Sequence, residues 1–398
     1  GNGEKMELNL PAPDKTLEAV DRAIIAANPP SVRSYLQCSS LGKDCERELW
    51  YNWRWVIPVT FDAATLRRFA DGFAGEELMA KRIRAVPGVK LQTNYDDGTQ
   101  YEVHDMGGHL LGHLDGVIEG VAAAPKSMHV WEHKSVQQKT YNKLEKLKRE
   151  HGEKEALELW NSTYYGQAQL YMGLTKLKRH YLTVTTPGGR DITSCRTNYD
   201  AGAFKMYLDK ARRIFDSAEA PPRVSKKADY FQCRWCDFKE PCHGTKVAQV
   251  NCRTCAHSSP VEAESAGDPG KPTRRGVWKC ERHDKLLGFK KQTEGCQDHL
   301  FIPSLIPWGV PAKFDKEGNR IVYVTKNSQK AFINADRNDW AGDPPAFKSK
   351  DLSQLTEELL TSESQMLNEL ARFEGASIET VTPADNGILF DDPMPNLK

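Results

Sequence analysis

Hydrophobic positions spaced three and four apart dominate the first ninety residues: "DKTLEAVDRAIIAA", "ELWYNWRWV" and "DAATLRRFADGFAGEELMAKRIRAV" each predict a helix. From Val89 to Val136 the pattern turns to strands, in "KLQTNYDD", "YEVHDM", "HLLGHLDGVIEGV" and "SMHVWEHKSV", with Gly and Pro punctuation between them. A long, charged, helix-like stretch over 138–177 follows, then a strand in "RHYLTVTT", a turn at "PGGRD" and a helix in "AGAFKMYLDKARRIFDSAEA". This order predicts an α/β fold, with a mixed central sheet flanked by helices. Beyond Gly244 the texture shifts to Cys, Gly, Pro and Ser, and 252–300 has so little periodicity that it needs an internal staple to fold. Two short strands, "RIVYVTK" and "KAFINA", precede an amphipathic helix from Leu352 to Phe373, and the last twenty residues read as an extended tail.

The stretch "MHVWEHKSV" departs from ordinary strand patterning. Side chains alternate along a strand, so Glu132 and Lys134 share a face with Val130 and Val136. A carboxylate and an ammonium on an apolar face need a partner or a task. In "GHLDG", Asp115 lies in a segment, Leu110 to Val121, that reads as strand on both sides of the Asp-Gly pair. Two adjacent strands then bring Asp115 to Glu132. Paired carboxylates repel unless a cation lies between them, and hard oxygen ligands suit Mg2+ or Mn2+. A neighbouring lysine is placed to serve an attacking water and to balance phosphate charge.

With Asp115, the Glu132-x-Lys134 pair and "QAQLY", whose Gln167 and Tyr171 stand four apart on one helix face, the chain resembles the PD-(D/E)XK nuclease superfamily. The likeness is to RecB-like exonucleases and spans about residues 32–243. It implies a restriction-endonuclease-like core and metal-dependent hydrolysis of DNA. It also implies a further acid in the helix "FADGFAGEELMAKRI", where Glu76 takes the acidic place and Glu77 is the alternative. Asp115, Glu132 and Glu76 would hold the metal, Lys134 would serve the nucleophile, and Gln167 and Tyr171 would position the strand. His109 and His113 are left outside the ligand set.

Ten cysteines are spaced too unevenly for a disulfide framework. "CRWCDFKEPC" holds Cys233, Cys236 and Cys242, with Cys45 far upstream. One remote and three clustered cysteines resemble the iron–sulfur branch of the superfamily, as in AddB and the CRISPR-associated exonuclease. The resemblance implies a 4Fe-4S cluster clasping the two ends of the nuclease domain. Zinc fits the C-x2-C geometry equally well, and Cys38 competes as the fourth ligand. Cys195 reads as a buried thiol inside a strand. A second set, Cys252, Cys255, Cys280 and Cys296, sits in the Gly- and Pro-rich segment and predicts a small four-cysteine, zinc-ribbon-like module holding Zn2+; His283 or His299 is an alternative to one of the last two.

The expected organisation is a nuclease domain over 1–247, a zinc-binding module over 248–350, and a helix with acidic tail over 351–398. From Asp351 onward ten acidic residues face only Arg372 and Lys398, so residues 1–350 carry +9 against a tail of −8. A basic body suits a polyanion. The expected partner is therefore DNA, with a recombination protein or further copies of the chain also compatible. No run of 18 apolar residues and no secretory leader are present, so a cytoplasmic protein without a membrane partner is expected; the zinc module and tail carry a weaker likeness to phage and prophage proteins. A restriction or defence endonuclease, and a catalytically silent DNA-binding scaffold, are the competing functions.

Overall fold

The structure, a computed structural model, describes residues 13–262, 275–336 and 344–360. Helix α1 (Lys15–Ala27) is followed by strand β1 (Leu36–Gln37), α2 (Glu46–Trp53) and the 22-residue α3 (Ala63–Arg84). Asp14 and Asp62 cap α1 and α3, their carboxylates accepting first-turn N–H groups. Next come β2 (Lys90–Gln92), β3 (Glu102–Asp105), β4 (Leu110–His113), β5 (Gly116–Glu119) and β6 (His129–Ser135). Three helices, α4 (Gln138–His151), α5 (Glu153–Trp160) and α6 (Ser162–Thr175), lead to β7 (Arg179–Thr185), β8 (Ile192–Asn198) and α7 (Ala201–Asp216). The central sheet has the order β2-β5-β6-β7-β8; β6 and β7 are parallel and the other pairs antiparallel. This is the mixed, helix-flanked α/β arrangement that the alternating patterns predict.

Two expectations need correction here. The 138–177 stretch is not one helix. It breaks at Gly152, whose φ of +88° suits glycine, and at Asn161, which caps α6 by accepting from the Tyr164 N–H. Nor is Leu110 to Val121 one strand. β4 pairs with β1 and β3 in a separate three-stranded sheet, and β5 enters the central sheet. The chain crosses between sheets at Asp115. Leu114 is held to the first sheet's side by bonds to Tyr101 and Gln100. A Cβ on Gly116 would fall 2.7 Å from the Gln92 carbonyl, so only glycine admits the next strand so closely.

On β6 the odd and even positions face different helices. Trp131 packs with Met79, Ala80 and Ile83 of α3, and Gly75 of α3 lies beside His133 and Ser135. Glu132 meets Gln167 of α6 on the other side.

After α7 come α8 (Lys239–His243) and the cysteine-rich segment with β9 (Ser258–Val261), β10 (Val277–Cys280), β11 (Lys285–Leu287) and α9 (Phe289–Glu294). Where the sequence shows little periodicity, β9, β10 and β11 form a three-stranded antiparallel sheet. A four-stranded sheet of β12 (Gly309–Asp315), β13 (Arg320–Thr325), β14 (Ala331–Ala335) and β15 (Ala346–Phe347) follows, then α10 (Ser349–Leu352). The predicted helix from Leu352 is interrupted at once: α10 ends there, helical structure resumes only at 357–360, and the remainder of that helix and the acidic tail lie outside the described residues.

The cysteine-rich segment shares its core with the rest of the chain. Trp278 of β10 stands 5.0 Å, ring to ring, from Trp53 of α2, and His109 Nε2 faces the Val261 and Val277 carbonyls at 3.2 and 2.9 Å. Arg253, fully buried, donates to Trp53 O at 2.8 Å, Ser34 O at 3.0 Å and Gln292 Oε1 at 3.0 Å, and its guanidinium lies over the Trp55 ring at 3.8 Å. Among the described residues no helix is long and apolar enough to cross a membrane.

Candidate active site and metal centres

Four of the six candidate catalytic residues join directly. The Lys134 ammonium donates to Glu132 Oε1, Gln167 Nε2 donates to the same oxygen at 3.0 Å, and the Tyr171 hydroxyl stands 3.2 Å from Gln167 Nε2 while donating to the His113 carbonyl at 2.7 Å. Asp115 joins from the crossing point between sheets, where its Oδ2 accepts the His133 N–H at 2.8 Å. Glu76, half-buried on α3, lies close enough for Asp115 and Lys134 to shift its ionisation. Glu77 is exposed.

The electrostatics follow from crowding acids in a dry place. Burial, then the Asp115 charge, pushes Glu132 up to about 8 in spite of Lys134. Burial and Asp115 likewise push Glu76 up to about 7, and burial raises Asp115 against the pull of Lys134. Burial opposes charge on Lys134, but Glu132 and Asp115 more than offset it, so the ammonium is held charged above its ordinary range. Glu132 Oε2 is buried with no hydrogen-bond partner. An orphaned carboxylate oxygen beside a second and third acid fits a cation bound at Asp115 and Glu132, with Glu76 at its edge.

A residue not singled out from sequence completes this wall. Tyr164 precedes Gln167 by three positions and Tyr171 by seven, so all three share a face of α6, and the Lys134 ammonium lies 5.2 Å from the Tyr164 ring centroid. An aromatic residue one turn before Gln167 was the available signal. Of the excluded histidines, His113 pairs with Glu102 at 3.4 Å, and His109 is engaged by the cysteine-rich segment.

Cys45, at the N-cap of α2, and Cys233, Cys236 and Cys242 line one small cavity with Tyr51 and Phe238. The loop is tied down by Gln232, which donates to the Asp44 carboxylate, and by Arg223, which donates to the Cys242 carbonyl. Burial, then Glu48 and Cys45, pushes the Cys236 thiol up to about 12. Four thiols lining one cavity with no disulfide between them are the donor type of a soft-metal or cluster site, although no three of their sulfurs lie within 4.8 Å of one another. Cys38 is buried elsewhere, against Gly112, and Cys195 is a buried thiol of β8, pushed up to about 12 by burial.

In the second set, Cys252 is influenced by Cys296 and Cys280, and Cys255 by Cys296 and Cys252. Burial pushes the Cys252 thiol up to about 11 and the Cys255 thiol up to about 12 and raises Cys296, and hydrogen bonds from the backbone of Gly295 to Cys252, of His257 and Leu300 to Cys255 and of Asp298 to Cys296 offset only part of this. His283 Nε2 lies 3.9 Å from Cys296 Sγ and 3.1 Å from Asp298 Oδ2, and among the described residues these three bring ligand atoms within 4.8 Å of one another. His299 is fully buried, with Nε2 3.2 Å from the Thr254 hydroxyl, so of the two histidines it is His283 that faces the cysteines.

No family model matches the chain, and no curated protein does. Among solved structures the chain is similar to that of SSO0001, with a TM-score of 0.34 and 12% identity over 57% of this chain and 96% of that one. It is also similar to an alkaline exonuclease (LHK-Exo) from Laribacter hongkongensis, with a TM-score of 0.32 and 13% identity over 48% and 90% of the two chains. The same exonuclease in complex with dAMP gives a TM-score of 0.30 and 13% identity over 50% and 90%.

Proposed function

We propose that the chain is a PD-(D/E)XK-type deoxyribonuclease that hydrolyses phosphodiester bonds with Mg2+ or Mn2+ and acts as an exonuclease in recombination or DNA end processing. The observation that carries this reading is the unpartnered Glu132 Oε2, buried beside Asp115 and Lys134 with Glu76 near. A divalent ion held by Asp115, Glu132 and Glu76 would supply charge neutralisation and an activated water. Gln167 fixes the Glu132 carboxylate through Oε1 and leaves Oε2 free to ligate. The Lys134 ammonium, steadied by Tyr164, carries positive charge to the point where a phosphate must lie. Tyr171 ties α6 to the strand that ends beside Asp115.

In the same reading Cys45, Cys233, Cys236 and Cys242 hold a 4Fe-4S cluster. Cys252, Cys255, Cys280 and Cys296 hold Zn2+, with His283 beside Cys296. The mutual electrostatic influence of Cys252, Cys280 and Cys296 and the closeness of His283 to Cys296 support a structural metal there. A domain division near 247 then marks a change of chemistry along the chain.

End-labelled linear DNA and covalently closed circular DNA, incubated with and without Mg2+, test the nuclease reading. Loss of label from linear DNA with the circle intact is expected. Nicking of the circle would make the protein an endonuclease, and no cleavage with Mg2+ or Mn2+ would leave a DNA-binding scaffold.

A further inference from the structure

Residues Leu66, Phe69, Phe73, Glu76, Ala80 and Ile83 of α3 are spaced three and four apart and form one stripe along the helix. Its C-terminal part is covered, Ala80 and Ile83 packing with Leu91, Ile118 and Trp131. Glu76, half-buried, lies within electrostatic reach of Asp115 and Lys134. One turn earlier on the same stripe, Phe73 is 73% exposed. Phe69 is backed by the Phe61 ring, edge-on at 5.0 Å, whereas Phe73 has no ring neighbour among the described residues. A large apolar ring at that exposure, next to an active-site carboxylate, is costly in water and gains by being covered.

We propose that Phe73 is a nucleobase platform, its ring stacking on an unpaired base of the strand being cut, beside the scissile phosphate. The inference rests on the nuclease reading for the position of that phosphate. Three helical residues span about 4.5 Å. That lies between one and two base steps of about 3.4 Å along a strand, so a strand whose phosphate sits at Glu76 carries its neighbouring base to Phe73. Inside a duplex both faces of every base are covered by its neighbours, and an aromatic side chain reaches a base face only at a terminus or on an unstacked nucleotide. The ring therefore selects single-stranded or frayed ends. Continuity with the acidic site argues for a nucleotide as its occupant over a second copy of the chain or a protein partner.

Phe73→Ala and Phe73→Trp, both at an exposed position that leaves the fold intact, test this. In EDTA, an oligonucleotide with 2-aminopurine at its end is titrated with each protein, because stacking on an aromatic ring quenches that base. With Mg2+, KM and kcat are measured on single-stranded and blunt duplex DNA. Wild type and Phe73→Trp are expected to quench, and Phe73→Ala not to. Phe73→Ala is also expected to raise KM on single strands about tenfold, equivalent to about 1.4 kcal/mol and within the range of base–aromatic stacking, with kcat changed less than twofold. Equal quenching and equal KM in wild type and Phe73→Ala would overturn the proposal, as would self-association that Phe73→Ala abolishes without any change in quenching. A wild-type protein that quenches through Phe73 but cleaves nothing would remove the nuclease reading and keep the base platform.

Discussion

Glu132 and Lys134, two residues apart on β6, meet through one carboxylate oxygen only: Lys134 and Gln167 both donate to Oε1, and Oε2 is left buried without a partner. An ion pair meant only to stabilise a fold would satisfy both oxygens. Lys134→Ala should therefore lower the single-turnover rate of DNA cleavage by about 10²–10³-fold or more, the range for loss of one preorganised electrostatic group. DNA affinity, which comes from many phosphate contacts, should change little. A rate within threefold of wild type would mean that Lys134 is only Glu132's counter-ion.

The crowded acids also give the metal-free protein a distinctive pH response. Glu132 and Glu76 are raised to about 8 and about 7 from an ordinary glutamate value near 4.5. Between those limits these two carboxyls bind more protons in the folded state than in the unfolded state, so the stability they contribute is full below about 4.5 and is lost as pH rises toward 8. Buried His109 and His133, pushed down to about 4, and His180 and His299, pushed down to about 3, contribute the opposite slope through the ordinary histidine range. The acids are therefore read as a difference: in EDTA, the urea midpoint of wild type minus that of Glu132→Gln should fall from pH 5.5 to pH 8. Mg2+ or Mn2+, which favours the ionised acids, should raise the midpoint most at the alkaline end. A wild-type-minus-Glu132→Gln difference that is constant with pH and independent of metal would contradict the site.

Much of this centre is legible in the sequence because it obeys local periodicities. Period two sets Glu132 and Lys134 on one face of β6, and a spacing of four sets Gln167 above Tyr171 on α6. Both hold in the structure. Asp115 is legible as a residue and not as a place, because the switch from one sheet to another depends on how closely Gln92 passes Gly116, a contact between segments far apart in the chain. The same holds for Arg253. Between Cys252 and Cys255 it looks like the solvated middle of a metal knuckle, yet it is buried, and two of its partners, the Trp53 and Ser34 carbonyls, lie about 200 residues upstream.

Tyr171 gives a sharper test of how α6 is fixed. Its hydroxyl donates to the His113 carbonyl, two residues before Asp115. Tyr171→Phe leaves that carbonyl without this donor and should cost about 1–3 kcal/mol, read as a drop in melting temperature, with kcat falling while KM stays nearly constant. Tyr164→Phe keeps the ring beneath Lys134 and should behave as wild type, whereas Tyr164→Leu should lose activity without comparable loss of stability. Equal activity of both Tyr164 variants would show that the ring does not hold the lysine.

The cysteine-rich segment tests whether the chain divides where its composition does. A change from charged helices to Cys, Gly and Pro suggests a cut near Gly244 that spares the nuclease. The packing argues otherwise, since Trp278 covers Trp53, His109 is held by carbonyls of β9 and β10, and Arg253 spans Trp53 O and Ser34 O. Removing 245–398 would expose Trp53 and orphan those buried polar groups at about 1–3 kcal/mol each, against a total stability of only about 5–15 kcal/mol. The truncated protein should be insoluble or lack a cooperative thermal transition. If Cys252 holds the proposed Zn2+, Cys252→Ser in the full chain should produce a milder form of the same defect, lowering the zinc content and the midpoint of the whole protein in a single transition, because Cys252 adjoins Arg253. A truncated protein that melts cooperatively near the wild-type midpoint and still cleaves DNA would show that the segment is an independent appendage.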